Sequence, residues 1–456
     1  MAKQATGVMD AIVSLCKRRG FIFQASEIYG GIGNTYDYGP LGVELLRRIK
    51  DAWWDDVVVE RANVVGLDSA IIQNPTVWET SGHVGGFSDP MVDCKLCKAR
   101  FRADKLDDAR CPKKPSKKPT ECQGELTEPR AFNLMFKTHI GAVEETASVA
   151  YLRPETAQGI FLNFKNVMEA GRLKPPFGIA QIGKSFRNEI TPGNFVFRTR
   201  EFEQAEMEFF VPPEEEQQWY DYWRKARYDW YLNLGLNPDK LRMREHETDE
   251  LAHYSTATAD IEYLYPFGWG ELEGVACRTD FDLKRHSEAS GTDLVYFDPQ
   301  AKERYTPFVI EPAGGVNRMA LTFLIDAYEE QQVGKDVRTV LHFSPQLAPI
   351  TVGVFPLVKK DGMPEKAAEV EALLRKAHLA SFYDEKGAIG RRYRRQDEIG
   401  TPYCVTIDGD TLSDGTVTLR HRDSMEQEKV ALDELVQVIH ERTAAWERPV
   451  PQAGPE

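Results

Sequence analysis

Two strand-like segments on either side of a polar turn, within residues 179–211, constrain the fold more than any other feature of this chain. The turn at residues 191–194 reads Thr-Pro-Gly-Asn, and period-2 alternation flanks it. This pattern is typical of an antiparallel hairpin, because Pro, Gly and Asn favour chain reversal and alternation lets each strand bury one face. The sequence therefore predicts an antiparallel sheet.

Charged and aromatic side chains are expected to share a face of this hairpin. Alternation puts Arg187 with Glu189 on one face of the first strand, and Arg198, Arg200 and Phe202 on one face of the second. Guanidinium groups match phosphate oxygens, a ring can stack on a base, and carboxylates suit a metal, amine or hydroxyl group. A nucleotide-binding surface is one interpretation, and a solvated hairpin of cross-strand ion pairs is the other.

Patterns before and after the hairpin add helices and strands to this sheet. Residues 41–55 form an amphipathic helical pattern, and residues 214–234 predict a helix rich in Trp and Tyr. Further strand patterns occur at residues 260–265, 270–276, 293–297 and 308–311. We expect an α+β fold, with a mainly antiparallel sheet flanked by helices.

The pattern changes near residues 344–349, after which strands and helices alternate. A chain of 456 residues exceeds what one core usually fills, so two or three domains are expected. The prediction is a main domain at residues 1–345 and a C-terminal α/β domain at residues 346–456. Within the main domain we expect a small inserted module at about residues 88–130 and a helical insertion at about residues 212–258.

The composition argues against a membrane protein and complicates binding to nucleic acid. Mean hydropathy is −0.45, and no apolar run approaches the roughly 18 residues of a membrane span. Residues 1–10 resemble neither a signal peptide nor a transit peptide, so we expect a cytoplasmic protein. The net charge of −14 means that RNA binding would need a local basic surface.

Four of the seven cysteines lie in the inserted module, which is rich in Lys and Pro. Small modules with little core often need a metal, and thiolates are zinc ligands. However, ten residues separate the second pair, where a zinc ribbon has two. Structural Zn²⁺ and a free-thiol loop are both open for Cys94, Cys97, Cys111 and Cys122.

A strand-to-helix junction at residues 311–318, EPAGGVNR, offers a second ligand-binding feature. Small residues there let a ligand approach backbone N–H groups, and Arg318 falls in the first helical turn. Such junctions are also common as simple connections between a strand and a helix, with no ligand bound. The Gly-rich residues 29–33 are not followed by a helix and do not indicate a dinucleotide fold.

These segments resemble the three motifs of class II aminoacyl-tRNA synthetases: residues 41–75 motif 1, the hairpin motif 2, and residues 311–318 motif 3. Over nearly the whole chain, longer runs resemble the glycyl-tRNA synthetases of the compact homodimeric type. Those runs are YDYGPLG, VWETSGH, CKARFRAD, YLRPETAQGIF, QIGKSFRNEITPGNF, REFEQAE and RTDFDLKRH. The resemblance implies a class II catalytic domain, a C-terminal anticodon-binding domain, and ATP-dependent transfer of glycine to tRNA(Gly).

For ATP and its Mg²⁺, the resemblance implies a complete site. Arg187 would bind the α-phosphate and Arg198 the distal phosphates, while Phe202 and Arg318 would hold adenine. The residues implied to be catalytic are Arg187, Arg198 and Arg318. The residues implied to bind ATP are Arg187, Asn188, Glu189, Phe197, Arg198, Phe202, Glu271, Leu272, Gly315 and Arg318, with Glu271 also serving Mg²⁺.

For glycine, the resemblance implies a ring of carboxylates around the ammonium group. The residues implied to bind glycine are Arg100, Glu155, Phe202, Glu203, Gln204, Glu206, Glu311 and Gly315. Two positions depart from the family pattern, because Ala313 stands where Ser is expected and Asn317 where Asp is expected. One hydrogen bond to substrate is therefore in question.

Residues 390–395, GRRYRR, interleave cations with a ring, as contact with single-stranded RNA would require. A charge run is more often a solvated face, but the resemblance of residues 350–439 to an anticodon-binding domain favours RNA. The helix at residues 41–55 and the strand that follows predict the surface of a two-fold homodimer, because Trp53, Trp54 and the apolar positions around them offer more apolar surface than one subunit would cover.

Two other functions fit parts of the sequence. A threonyl or prolyl synthetase would share the terminal domain, but the acidic residues and the RPETAQG run favour glycine. A synthetase-like binding module would have lost its phosphate-binding arginines, and Arg187, Arg198 and Arg318 are all present.

Overall fold

The computed structural model describes residues 2–107, 109–111, 113–114, 116–121, 123–142, 148–189, 193–252 and 254–448, with side chains from residue 7 onward except at residue 105. The helices are α1 (Ala2–Arg19), α2 (Pro40–Trp54), α3 (Pro75–Thr80), α4 (His83–Gly86), α5 (Ala157–Gly171), α6 (Glu216–Asn233), α7 (Phe281–Ser290), α8 (Val316–Ala327), α9 (Met363–Lys376), α10 (Ile389–Asp397), α11 (Gly409–Ser413) and α12 (Leu435–Ala444). The strands before the hairpin are β1 (Ile22–Gln24), β2 (Tyr36–Tyr38), β3 (Val64–Gly66), β4 (Ser88–Asp93), β5 (Arg100–Arg102), β6 (Arg130–Asn133), β7 (Phe136–His139) and β8 (Val149–Leu152). The remaining strands are β9 (Phe177–Phe186), β10 (Glu201–Val211), β11 (Leu241–Glu245), β12 (Ala257–Tyr265), β13 (Gly268–Thr279), β14 (Tyr296–Asp298), β15 (Glu303–Tyr305), β16 (Phe308–Gly315), β17 (Tyr328–Val333), β18 (Asp336–Leu341), β19 (Val352–Pro356), β20 (Ser381–Tyr383), β21 (Tyr403–Ile407), β22 (Thr416–His421) and β23 (Gln427–Ala431).

A seven-stranded sheet in the order β11-β12-β13-β16-β10-β9-β3 organises the larger part of the chain. Its neighbours are antiparallel except β3, which runs parallel to β9. The expected hairpin is the pair β9–β10, in register from Phe177 opposite Phe210 to Phe186 opposite Glu201. Part of its turn, residues 190–192, lies outside the described residues.

The two faces of β10 have different neighbours. Ala205, Met207 and Phe209 belong to a large core formed with α1, α2, α6 and α8. On the opposite face, Phe210 packs with Phe161 of α5. Successive side chains of a strand alternate between faces, so the even-numbered residues from Phe202 onward share the face of Phe210.

The segment at residues 212–258, expected as a helical insertion, is built into the main core. Trp223 and Tyr231 of α6 are fully buried there, and β11 is the edge strand of the seven-stranded sheet. By contrast, residues 88–130 contribute strands to a separate three-stranded sheet, β5-β4-β6. The strand expected at residues 293–297 is β14, which pairs with β15 in a separate two-stranded sheet.

Helix α2 is buried along one side. It begins at Pro40, whose fixed φ suits the first helical position, and Leu45, Ile49 and Trp53 recur on its apolar side. Trp53 is 1% exposed and Trp54 is half-buried. The Trp53 indole therefore packs inside the subunit, whereas Trp54 keeps part of its surface for the dimer contact expected from the sequence.

The C-terminal part has its own sheet and core. Its strand order is β20-β19-β21-β22-β23, with β19 parallel to β20 and β21 and the other pairs antiparallel. Helices α9 and α12 cover this sheet, with Val370 and Ile439 in its core. The basic residues 390–395 lie in α10.

Buried arginines join the two cores. The Nε of Arg338 on β18 donates to Asp397 of α10 at 2.9 Å. Arg422 donates to the carbonyl oxygens of Gly400 and Phe343, both at 2.8 Å. In the part of the chain that the structure describes, no helix is long and apolar enough to cross a membrane.

Candidate active site

A cavity of about 430 Å³ opens on the sheet face that carries the even-numbered residues of β10. Its wall includes small residues on two neighbouring strands, Gly274 and Ala276 of β13 and Ala313 and Gly315 of β16. Because these side chains are short or absent, the sheet leaves room for a ligand. The charged and aromatic residues that line it include Glu155, Arg187, Glu189, Phe197, Arg198, Phe202, Gln204, Glu206, Glu271, Arg278, Glu311 and Arg318.

Two expected phosphate-binding arginines lie at one end of the cavity. The Nε of Arg187 donates to the Pro154 carbonyl at 3.0 Å, and its guanidinium lies 5.3 Å from the centre of the Phe202 ring. Arg198 lies 4.0 Å from a carboxyl oxygen of Glu189. These contacts hold both guanidinium groups at the cavity while leaving donors for anionic oxygens.

Arg318 reaches the same end from the first turn of α8. Its guanidinium donates to the Glu271 carbonyl at 2.9 Å, lies 3.2 Å from the Glu271 carboxylate, and covers the Phe197 ring at 4.4 Å. Arg318 lowers the pKa of Glu271 below its usual value. The aromatic neighbour of Arg318 is thus Phe197, whereas Phe202 lies beside Arg187.

Two residues of the cavity carry a buried oxygen that has no hydrogen-bond partner among the described residues. Gln204 is 9% exposed, and its amide oxygen accepts no hydrogen bond from any described residue. The same holds for one carboxyl oxygen of Glu189. Unpaired buried polar atoms are costly, so both residues suit a polar ligand in the cavity.

The other end of the cavity is acidic. Glu155, Glu206 and Glu311 line it together with one guanidinium, that of Arg278. Arg278 donates to Glu311 at 2.6 Å and to Asp282 at 2.9 Å. The carboxyl groups at this end outnumber the guanidinium. A buried acidic site of this kind is suited to a small cation such as an ammonium group.

The pKa values of the carboxyl groups at this end are shifted in different directions. Burial raises the pKa of Glu206 to about 8, and the charges of Glu311 and Glu155 add to the effect. Burial also raises the pKa of Glu311. Burial alone would do the same for Glu155, but His83, Arg278 and the Gln158 amide hold its pKa well below the usual value.

A second layer of hydrogen bonds positions these groups. The Thr156 hydroxyl donates to Glu206. The Gln158 amide donates to Glu155 at 3.1 Å and to Asp282 at 3.0 Å, linking two parts of the acidic site. His83, for which the sequence indicated no catalytic role, lies 3.3 Å from Glu155.

Four residues expected at the site are not among the residues that line the cavity. Glu203 faces the opposite side of the sheet, where Lys50 of α2 donates to it at 2.9 Å. Arg100 is exposed in the inserted module and pairs with Asp93. Leu272 is fully buried in the main core, and the Asn188 backbone N–H donates to a neighbouring loop, at Leu134.

The two departures in the strand-to-helix junction have different consequences. Ala313 lines the cavity without a polar group. The side-chain amide of Asn317 makes hydrogen bonds within the protein. Its oxygen accepts from the Glu203 backbone N–H at 2.7 Å, and its nitrogen donates to the Tyr38 hydroxyl at 2.6 Å. The amide therefore braces β10 against β2.

Sequence reasoning gave no role to several residues of the cavity. Arg278 is the central one, and its contact with Glu311 follows from the register that puts Ala276 opposite Glu311. Tyr254 lies under the Arg278 guanidinium at 4.2 Å, and His246 contacts Asp260 at 2.8 Å. The RTDFDLKRH run contained Arg278, but only the strand pairing reveals its partner.

Three of the four cysteines of the inserted module, Cys94, Cys97 and Cys111, lie among the described residues, outside any disulfide. The Cys97 backbone N–H donates to Cys94 Sγ at 3.5 Å and lowers the pKa of that thiol. Cys122 lies outside the described residues. Among the described side chains, the one group of three or more His, Cys, Asp or Glu with ligand atoms within 4.8 Å is Glu206, Glu208 and Glu311, not the cysteines.

Comparison with known proteins identifies both halves of the chain. Residues 136–328 match the family described as tRNA synthetase class II core domain (G, H, P, S and T), and residues 351–442 match the anticodon binding domain. The chain is 55% identical to the glycine–tRNA ligase of Lysinibacillus sphaericus over 94% of this chain and 97% of that protein. It is 52% identical to that of Alkaliphilus oremlandii (97% and 99% covered) and 53% identical to that of Treponema denticola (96% and 98% covered).

The chain belongs to the glycine–tRNA ligase family. The resemblance to glycyl-tRNA synthetases and the α+β fold class are thereby confirmed. For a glycine–tRNA ligase, the sheet cavity and the C-terminal α/β unit correspond to the class II core and the anticodon-binding region that the sequence predicted. The homodimeric type remains a prediction.

Proposed function

We propose that this protein activates glycine with ATP to glycyl-adenylate and transfers the glycyl group to the 3′ end of tRNA(Gly). The observation that carries the proposal is the division of one cavity into an arginine-rich end and a buried acidic end. The first end suits the triphosphate and the second the glycine ammonium group. Membership of the glycine–tRNA ligase family supports the choice of amino acid.

Activation requires placement of reactants rather than a side-chain nucleophile. The glycine carboxylate attacks the α-phosphorus of ATP, the bond to the bridging oxygen breaks, and pyrophosphate leaves. Arg187 would stabilise charge on the α-phosphate, while Arg198 binds the distal phosphates. Holding ammonium and triphosphate at opposite ends of the cavity would align the carboxylate for in-line attack.

ATP would be bound with Mg²⁺. Glu271 is half-exposed, and its lowered pKa keeps it ionised at neutral pH. Carboxylate oxygens are ligands that Mg²⁺ prefers, so Glu271 would hold the ion beside the phosphates. Phe197, Phe202 and Arg318 supply flat surfaces for adenine.

The tRNA would contact both parts of the chain. Residues 1–345 would form the catalytic domain, and residues 346–456 would form the anticodon-binding domain. The match of residues 351–442 to anticodon binding domains supports this division. Within α10, Arg392 is buried and donates to the Pro356 carbonyl, and Arg395 pairs with Asp384. RNA contacts would therefore come from the more exposed Arg391 and Arg394.

We also propose a cytoplasmic homodimer. Trp53 is buried within the subunit, but Ile28 and Tyr29 are 88% and 86% exposed in the loop between β1 and β2. Clustered exposed apolar side chains favour association. Light scattering should give a mass of twice 51.8 kDa.

Structural Zn²⁺ in the inserted module is a further part of the proposal. The turn that brings the Cys97 N–H onto Cys94 suits thiolate ligands, and Cys111 and Cys122 would complete four thiolates. Purified protein should contain about one zinc per chain, and Cys94→Ser with Cys97→Ser should lose it. Zinc-free protein with full stability would instead support the free-thiol alternative.

The proposed reaction is tested by charging. Purified protein, ATP, Mg²⁺ and total tRNA should yield acid-precipitable radiolabel with glycine but not with threonine or proline. Mutating Arg391 and Arg394 together to Gln should weaken charging while leaving the tRNA-independent activation of glycine intact. Charging with threonine or proline would overturn the assignment.

A further inference from the structure

Glu208 lies two residues after Glu206 on β10, on the same face of the strand. It has no part in the mechanism above. Its side chain is completely buried, on the sheet face that carries the acidic end of the cavity. Burying a carboxyl group is costly unless it is paired or loses its charge. Its position beneath the ammonium pocket therefore calls for a physical explanation.

Charged groups from several elements surround Glu208, and most are acidic. Its own strand supplies Glu206, and α7 supplies Asp282. The titratable groups facing this region are Glu155, Glu206, Tyr254, Arg278, Asp282, His286 and Glu311, with His83 behind Glu155. Arg278 is the guanidinium among them, and it is already shared by Glu311 and Asp282.

No described residue donates a hydrogen bond to either carboxyl oxygen of Glu208. The polar group within reach is the carboxyl group of Glu311, and one oxygen each from Glu206, Glu208 and Glu311 lie within 4.8 Å of one another. Two ionised carboxylates repel strongly at this distance, whereas a shared proton turns the contact into a hydrogen bond. Because Arg278 already holds Glu311, Glu311 is the partner that stays ionised.

We propose that Glu208 is a positioning residue that remains protonated at neutral pH and donates a hydrogen bond from its carboxyl group to the Glu311 carboxylate. This inference rests on the proposed function and deepens its glycine site. Glu311 is then held from two directions, by Arg278 and by Glu208. A fixed Glu311 presents its remaining lone pairs to the ammonium group and keeps the wall rigid where a larger amino acid would press against it.

The first test compares two variants of nearly equal volume, Glu208→Gln and Glu208→Met. The amide of Gln can donate as the neutral carboxylic acid does, whereas Met cannot. In glycine-dependent ATP–pyrophosphate exchange at pH 7, Glu208→Gln should keep kcat/KM for glycine within about threefold, and Glu208→Met should raise the KM for glycine at least about tenfold. The KM for ATP should change less than about twofold in both.

The second test uses pH. Burial, followed by the charge of Glu311, raises the pKa of Glu208 well above its usual value, which is the direction that keeps the proton on its carboxyl group. The ratio of wild-type to Glu208→Gln kcat/KM for glycine should be constant near neutral pH and fall at alkaline pH. Glycine and Glu206 also titrate, but they do so in both enzymes.

Each outcome decides between distinct conclusions. If Glu208→Gln is as impaired as Glu208→Met, Glu208 acts as an ionised carboxylate and the inference is wrong. Normal glycine KM in both variants would also refute a positioning role. If Glu208→Met does not fold, the pH ratio with Glu208→Gln still decides the matter. Wild-type enzyme without glycine-dependent exchange would instead contradict the proposed function.

Discussion

At the residue scale, selection for glycine is a problem of exclusion, because the substrate has no side chain to bind. One extra methyl group changes affinity in an apolar pocket by only about 1–3 kcal/mol. The wall of the glycine pocket consists of buried carboxyl groups held by Arg278 and Thr156. The methyl group of alanine would therefore displace hydrogen bonds and also crowd the pocket. Rigid, charged walls can therefore discriminate more strongly than an apolar pocket.

The protonation of Glu206 leads to a pH-dependent stability. In the unfolded chain Glu206 ionises near its usual pKa of 4.5, whereas burial raises its pKa to about 8 in the folded protein. The folded state thus holds this proton more tightly, and the resulting stabilisation declines as pH rises through about 8. Without glycine, the Tm of the wild type should fall more between about pH 6 and pH 9 than that of Glu206→Gln, which has no such proton. Parallel curves for the two proteins would show that Glu206 ionises normally.

Arg187 is predicted to act on the chemical step alone. Replacing it with Ala should lower kcat/KM for glycine-dependent exchange by about 10²–10³-fold, because a donor to the reacting phosphate is lost. Affinity for tRNA, measured by filter binding, should remain within about twofold. Lys184→Ala is a suitable control, since Lys184 is exposed on the same β-hairpin and pairs with Glu201. Equal loss of RNA affinity in Arg187→Ala would argue against a phosphate role.

Strand alternation explains which site residues could be predicted from the sequence. Alternation grouped Arg187 with Glu189, and Arg198 with Phe202, and these four residues line the cavity. Arg200, which it placed with Arg198, instead donates to the Glu189 and Gly33 carbonyls. The same rule separates Glu203 from Glu206, although the family resemblance had grouped them. Arg278 could not be assigned, because its link to Glu311 depends on a pairing between strands 33 positions apart.

At the element scale, the packing of α2 against the segment between α1 and β1 depends on one glycine, Gly42. A Cβ on Gly42 would lie 1.9 Å from the Phe21 carbonyl oxygen, which is backbone and cannot move aside. Gly42→Ala should therefore lower the unfolding free energy by about 1–3 kcal/mol, despite the better helix propensity of Ala. Gly390→Ala in the first turn of α10 is the matched control, because nothing lies within 4 Å of its Cβ. Urea unfolding that ranks the two variants equally would contradict this account.

Elements with strong local patterns were predictable, and those defined by distant partners were not. The spans of α2, α6 and the hairpin follow from amphipathic or alternating sequence. That β11 completes the edge of the main sheet could not be inferred, because its apolar pattern is short and its partner β12 is set by tertiary packing. For the same reason residues 212–258 looked like an insertion.

At the scale of the whole molecule, Asp397 connects the two cores. It is completely buried and accepts hydrogen bonds from Arg338 of β18 and from Arg420 of β22, the latter at 2.8 and 3.1 Å. Asp397→Asn should lower the unfolding free energy by about 3–5 kcal/mol, since it leaves buried guanidinium groups without their counter-charge. Asp410→Asn, at an exposed position in the same C-terminal part, should change it by less than about 1 kcal/mol. A small effect of Asp397→Asn on chemical denaturation would show that the junction contributes little.

The central claim is that the acidic end of the sheet cavity selects glycine for activation by ATP. Pyrophosphate exchange into ATP, measured with each of the twenty amino acids in turn, tests it most directly because it needs no tRNA. Glycine alone should drive exchange, with alanine at least about 10²-fold lower in kcat/KM. Exchange driven by threonine or proline, or equal rates with glycine and alanine, would contradict the account.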